Sequence, residues 1–503
     1  MTRVVTTRRR PLRRLICVAA LTVAAIGVPA AAASAAVPLT KISADPFTNA
    51  TSQHATEVEP DTFAHHGTVV ATFQVGRFFN GGATDIGVVR SGDGGVTWDA
   101  PTFLPGQTFS ADPPFGDPNS PFERTSDPTV AYDAAHGAWI VSSIPLLPDL
   151  DVPTVFFSRS TDDGRTWSRP ISMPPPVARN VNLDKNWTVC DNHADSPFFG
   201  HCYTELDNFG EGDRELMSTS TDGGLTWSVP IETAGHDKGL GGQPVVQPNG
   251  TVIVPFEALN GKIQSFRSTD GGQSWTKAVT IDAIRFHGVA GGLRTSPLPS
   301  AEIAADGTTF VAWEDCRFRR RCSSNDIVFS RSADGVTWTS AARVPIDDVT
   351  SGADHFIPGL GVDPTTAGDG AHLALTYYFY PDATCTGGCR LQAGYISSPD
   401  GGATWGDPIE LTNAMSLTDI AQTSQGPMVG DYISTSISGG TATTAIAVGL
   451  PHTGTVFDEG MYAPTAKLPI ATAAQATRPS STAGAGPITG EGTGETHHAL
   501  RQD

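Results

Sequence analysis

One eight-residue phrase recurs six times along this chain, and it restricts the fold more than any other feature. It reads Ser91-Gly-Asp93-Gly-Gly95-Val-Thr97-Trp98 at its first occurrence. It returns from Ser160 to Trp167, Ser220 to Trp227, Ser268 to Trp275, Ser332 to Trp338 and Ser398 to Trp405. The fifth copy is one residue shorter between Asp334 and Thr337. Successive tryptophans are 69, 60, 48, 63 and 67 residues apart, the spacing of a repeated supersecondary unit. The chemistry is that of a tight hairpin turn. Asp-Gly and Gly-Gly supply the positive φ angles such a turn needs, and the aspartate can accept bonds from the turn's own N–H groups. Alternating runs enter the turn, among them Val155-Phe-Phe-Ser-Arg159, Ile263-Gln-Ser-Phe-Arg267 and Asp326-Ile-Val-Phe-Ser330. Their period of two marks β-strands.

A second recurrence lies between the turns. Its members begin at Glu57-Val-Glu59-Pro-Asp61, Ser126-Asp127-Pro128, Asp184-Lys185-Asn186-Trp187, Gly242-Gln243-Pro244, Pro299-Ser300-Ala-Glu302, His355-Phe-Ile-Pro358 and Gly430-Asp431-Tyr432. The Trp-ended phrase is the Asp-box, or BNR repeat, and over about residues 40–465 the chain resembles the sialidase superfamily of β-propellers. The resemblance implies an all-β Asp-box β-propeller. Each box would join the third and fourth strands of a blade, so the six boxed aspartates are architectural. Seven starts for six boxes favour seven blades, the last without a box, over the six usual in sialidase catalytic domains. Leu39-Thr-Lys-Ile-Ser43 is expected to add an outer strand that closes the ring and removes an exposed edge.

The ends read differently. Six arginines fall in the first 14 residues, and an apolar, alanine-rich run leads to Ala33-Ser34-Ala35. This is the pattern of a secretory signal peptide over 1–35, and it predicts a secreted protein without stable membrane insertion. The propeller is expected over 36–465, with a disordered low-complexity tail over 466–503 rich in Ala, Thr, Gly, Ser and Pro. Export gives the remaining six cysteines a meaning. They form close pairs, Cys190/Cys202, Cys316/Cys322 and Cys385/Cys389, and local disulfides are expected. No pair has zinc-site spacing, so no metal and no cofactor are expected. The net charge of −20 makes nucleic acid an unfavourable partner. A monomer is expected.

In a propeller the inner-strand starts converge on a central channel, which makes their polar residues the site candidates. Arg77, Arg124, Arg294 and Arg317 lie near those starts in sequence and suit a carboxylate ligand, which arginine binds in a planar, bidentate way. Sialidases hold a sugar carboxylate with three arginines, attack with a tyrosine and use an aspartate as acid/base. The resemblance therefore implies Tyr432 as nucleophile, Glu302 or Glu59 as its base and Asp127 as acid/base. The family's Phe/Tyr-Arg-Ile-Pro motif does not occur here, so Arg77 would stand in from a later position. The expected activity is a glycoside hydrolase of the exo-α-sialidase type acting on acidic glycans. The alternatives are a uronate-specific lyase or other exo-glycosidase on the same scaffold, and a non-catalytic glycan- or protein-binding propeller.

Overall fold

The computed structural model describes residues 1–4 and 37–482. Beyond its first four residues the expected signal peptide lies outside the described residues, as does 483–503. Among the described residues every extended element is a β-strand, the helical segments being four single 3-10 turns. No helix there is long and apolar enough to cross a membrane.

The strands follow one another as antiparallel sheets. The first contains Glu57–His65, Thr68–Arg77, Ala83–Ser91 and Thr102–Phe103. The second contains Arg124–Asp133, Ala138–Leu146, Phe156–Ser160 and Ile171–Ser172, joined to the first by the single pair Ala83↔Thr125. The third is Leu183–Cys190, Cys202–Asn208, Arg214–Ser220 and Ile231–Glu232. The fourth is Val245–Val246, Val252–Ala258, Lys262–Ser268 and Val279–Ala283. The fifth is Ser300–Ile303, Thr309–Asp315, Asp326–Ser332 and Ala342–Arg343. The sixth is Asp354–Val362, Leu373–Tyr380, Arg390–Ser398 and Ile409–Glu410. In a seventh set Thr435–Ser438 pairs with Thr441–Thr444, and Ile446–Gly449 pairs with Glu459–Pro464. The free edge of Glu459–Pro464 takes Leu39–Lys41, as the sequence predicts.

The first strand of each sheet lies against the first strand of the next, and Thr435–Ser438 lies against both Asp354–Val362 and Glu57–His65. Apolar cores fill the spaces between successive sheets. Ile140 and Phe157 of the second sheet pack with Leu216 and Trp227 of the third, and Phe73 of the first shares a cluster with Ile437 and Ile446 of the seventh. Central strands such as Thr68–Arg77 are therefore buried along their whole length.

Every box sits between the third and fourth strands of its sheet. In the first, Asp93 Oδ1 accepts from Val96 N (3.0 Å), Thr97 N (2.9 Å) and Ser91 Oγ (2.8 Å), while Oδ2 accepts from Thr97 Oγ1 (2.6 Å). Ser91 Oγ in turn accepts from Gly95 N at 2.8 Å. The shorter fifth box keeps the scheme, with Val336 N and Thr337 N donating to Asp334 at 2.8 and 2.7 Å. The rest of the box packs on the preceding sheet. Trp227 stacks on Phe157 with centroids 3.8 Å apart, and Trp338 Nε1 donates to Ser265 Oγ at 3.2 Å. The first box packs on the seventh set: a Cβ at Gly95, whose φ is +91°, would lie 2.4 Å from Thr443 Oγ1. The six boxes bolt neighbouring sheets together.

The three disulfides pair as expected: Cys190–Cys202, Cys316–Cys322 and Cys385–Cys389. The expected disorder from 466 onward is corrected over 466–482. Leu468–Pro469 pairs with Thr441–Ala442, Arg478–Pro479 with Thr404–Trp405, and Ser481–Thr482 with Ala342–Arg343. Ser480 Oγ accepts from the Trp405 indole N–H at 2.9 Å. Composition marks this segment as unable to form a core of its own. It borrows one, burying Leu468 and Ala476 against sheets already built.

Candidate functional site

Four inner strands share one irregularity. Register slips by a residue between Val58 and Asp61, Ser126 and Thr129, Asp184 and Trp187, and Phe356 and Gly359. At each slip a non-glycine residue takes positive φ: Glu59 (54°), Asp127 (49°), Lys185 (50°) and Ile357 (50°). Such bulges bend the strand and re-aim the side chain at a local cost of order 1–3 kcal/mol. In the first three sheets the bulged residue is ionisable, and the three side chains meet. Gly430 brings the seventh set in beside them. Its φ is +144°, and a Cβ there would lie 2.9 Å from Glu59 Cα, so the close approach requires glycine. The next residue, Asp431, then reaches the cluster.

Asp431 is the hub. Arg294 grips it with both Nε (2.7 Å to Oδ1) and Nη2, and Lys185 Nζ bonds Oδ2. Lys185 Nζ also lies 3.8 Å from Glu59 Oε1 and 4.0 Å from Asp127 Oδ1. Gln74 donates to Glu59 and, at 2.9 Å, to Ser126 Oγ, which donates to Asp127 Oδ1 at 3.0 Å. Arg77 Nη1 donates to Gln74 Oε1 at 2.8 Å. All of these groups are buried.

Burial and neighbouring charge sort the carboxyls into two kinds. Burial alone would raise Asp431, but Arg294 and Lys185 outweigh it and hold the carboxylate well below its usual range. Asp127 is likewise opposed by burial yet lowered, by Lys185 and by hydrogen bonds from Asp184 and Glu59. Glu59 is pushed up to about 8 by burial and by Asp127, and Asp184 to about 7 by the same two causes. Glu59 and Asp127 therefore form a neutral acid beside an ionised carboxylate, an arrangement that can give and take a proton near neutral pH.

A small cleft opens beside this cluster, walled by Lys185, Trp187, Gly241, Gln243, Leu298, Pro299 and Tyr432. Tyr432 is buried and its hydroxyl donates to the Pro128 carbonyl at 3.1 Å. Burial, with Glu59, Asp127, Asp61 and Asp431 around it, raises the phenol well above 10.

The structure brings together Glu59, Arg77, Arg294, Asp127 and Tyr432 of the residues expected from sequence. Arg124 lies elsewhere: it donates to Asn80 Oδ1 at 2.6 Å, pairs with Glu123 at 3.1 Å and covers the Phe78 ring. Arg317 braces Asp315 and Asp282 at 2.8 and 2.7 Å. Glu302, half-buried, is raised to about 8 by burial and by Asp61 rather than by any partnership with Tyr432. Lys185 and Asp431 stand at inner-strand starts, which the sequence places at the channel without showing that the two pair. Gln74 carried no signal beyond a polar residue in a strand, and Trp187 only its place two residues after Lys185 in an inner-strand start.

No protein-family model and no curated protein matches this chain. Solved structures do. A protein of unknown function from Dyadobacter fermentans is 17% identical, with 72% of this chain and 99% of that one covered at a TM-score of 0.44. A Hadza microbial sialidase is 16% identical, with coverages of 82% and 66% and a TM-score of 0.42. A polysaccharide lyase, an ulvan lyase, is 11% identical, with coverages of 85% and 95% and a TM-score of 0.46.

Proposed function

We propose that the protein is a secreted glycoside hydrolase built on a seven-bladed β-propeller, with its reaction carried out at the centre by the Glu59–Asp127 pair. Support for the propeller comes from the succession of first strands, from the first box packing on the seventh set, and from Leu39–Lys41 completing that set. Three disulfides support an extracellular setting.

One observation carries the catalytic reading: Glu59, raised to about 8, and Asp127, lowered, share Lys185 at 3.8 and 4.0 Å, and Lys185 lines a narrow cleft. Glu59 would give its proton to the glycosidic oxygen as the C–O bond breaks. Asp127, hydrogen-bonded to Glu59 and so on the same side of the sugar, would stabilise the positive charge developing at the anomeric carbon, and Glu59 would take back the proton that the attacking water releases. Lys185 keeps the pair at one net negative charge and so holds one proton in play. Tyr432 serves this reading as a cleft wall. Acting as nucleophile, it would have to give up Pro128 and lose its proton against four carboxyl groups.

The sialidase form of the reading depends on arginines free to take a substrate carboxylate. Arg294 is already committed to Asp431, and Arg124 and Arg317 to partners away from the cluster. This favours a reacting sugar without a carboxylate over a sialoside. Fluorogenic glycosides of neutral sugars, an α-sialoside and a uronic-acid polymer separate the possibilities. Cleavage of a neutral glycoside, lost in Glu59→Gln, supports the reading. Sialoside turnover would mean that Asp431 yields Arg294 to substrate. New ultraviolet absorbance on the uronate polymer would mean elimination. No turnover of any substrate would overturn the hydrolase reading.

A further inference from the structure

Six of the nine tryptophans belong to boxes, and Trp139 and Trp313 are fully buried. Trp187 is the remaining one. It is partly buried, it follows the bulge at Lys185, and it lines the cleft beside the charged cluster. Trp98, Trp167 and Trp338 in the boxes are likewise only partly buried, but of these partly exposed indoles it is Trp187 that lines the cleft.

Its surroundings fix it. Tyr432 meets the indole edge-on, with centroids 5.1 Å apart and planes at 79°, and the Tyr432 hydroxyl is tied to Pro128. Across the cleft, Gln243 is held by its carbonyl oxygen, which accepts from Ala301 N at 2.9 Å. Its side-chain nitrogen donates to no acceptor among the described residues. Gly241 keeps the wall thin: its φ is +66°, and a Cβ there would come 2.7 Å from Leu298 Cδ2.

We propose that Trp187 and Gln243 form a saccharide subsite next to Glu59 and Asp127. A sugar ring has an apolar C–H face and a rim of hydroxyls. The Trp187 face matches the first, and the Gln243 amide donates to the second. Both groups are held by neighbours before any ligand arrives, so little conformational freedom is lost on binding. The inference rests on the glycan-active reading of the centre. It adds positioning residues and makes Trp187 select for rings with an unsubstituted C–H face.

The test uses Trp187→Ala, Trp187→Phe and Gln243→Glu. The last keeps an acceptor for Ala301 N and removes the donor. On a cleaved glycoside, Trp187→Ala should raise KM about tenfold with kcat little changed. Trp187→Phe should recover most of that, and Gln243→Glu should raise KM several-fold. Retention of Glu59→Gln protein on a glycan array, with and without Trp187→Ala, gives a readout independent of turnover. Cleavage with KM unchanged in Trp187→Ala overturns the subsite and leaves the hydrolase reading intact. Glycan retention that requires Trp187, with no glycoside cleaved, keeps the subsite and overturns the hydrolase reading. Neither cleavage nor retention overturns both.

Discussion

Aspartates at the box turns and acids at the centre are the same chemistry in opposite settings. Asp93, Asp162 and Asp334 are exposed, and backbone N–H and hydroxyl donors within their own turns hold them down to about 2. Glu59 and Asp184 are surrounded by protein and by other acids, and are held up at about 8 and about 7. A boxed carboxylate is solvated by the backbone it organises, so it is permanently ionised and chemically idle. A central carboxyl has few such donors and shares one lysine with its neighbours, so its proton is movable. The difference assigns architecture to the repeated residue and reactivity to the unrepeated ones.

The strongest way to break this contrast is to neutralise the central pair. Glu59→Gln or Asp127→Asn should lower kcat on a cleaved glycoside by roughly a hundred- to ten-thousand-fold, with the melting temperature little changed in Glu59→Gln. Full activity in either variant would remove the centre from the chemistry. Next in size is Lys185→Met, which strips the shared cation from Asp431, Asp127 and Glu59. Breaking such a buried pair costs about 3–5 kcal/mol, readable as a lower denaturant midpoint. An unchanged midpoint would show that Arg294 alone balances the cluster.

Legibility in the sequence follows the same division. The boxes were readable because their hydrogen bonds are local: Ser91, Asp93, Gly95 and Thr97 bond one another within seven residues. The pairing of Cys190 with Cys202 and of Leu39–Lys41 with the last sheet was readable from spacing and count. The centre was only half readable. Glu59, Asp127, Lys185 and Asp431 could be listed as inner-strand starts, but their contacts join residues up to 246 apart. Which arginine turns inward depends on bulges and partners that no short window contains. Arg294 and Arg317 look alike in sequence, yet one holds Asp431 and the other Asp315. The ordered stretch 466–482 was missed because composition reports what a segment can bury alone, not what neighbouring sheets offer it.

Smaller effects sharpen the contrast further. Glu59, Glu215 and Glu302 keep their protons up to about 8 when folded, against 4.5 in an unfolded chain. Between these values the unfolded chain has released protons that the fold retains. Their contribution is complete below 4.5 and is lost as pH rises towards 8. The boxed aspartates act the other way: held at about 2 against 3.8 unfolded, they contribute above 3.8 and fail as pH falls towards 2. Melting temperature scanned across pH should therefore peak on the acid side of neutrality and decline towards pH 8. A plateau reaching pH 8 would contradict the buried, proton-holding centre. Least costly is a single box. Asp93→Ala removes a set of exposed turn bonds and should cost about 1–2 kcal/mol, with KM and kcat unchanged. Because the first box packs on the seventh set, the loss should be felt there. Faster amide exchange at Thr441–Thr444 is the expected signature, and a change in KM instead would show that rim and centre are not separate.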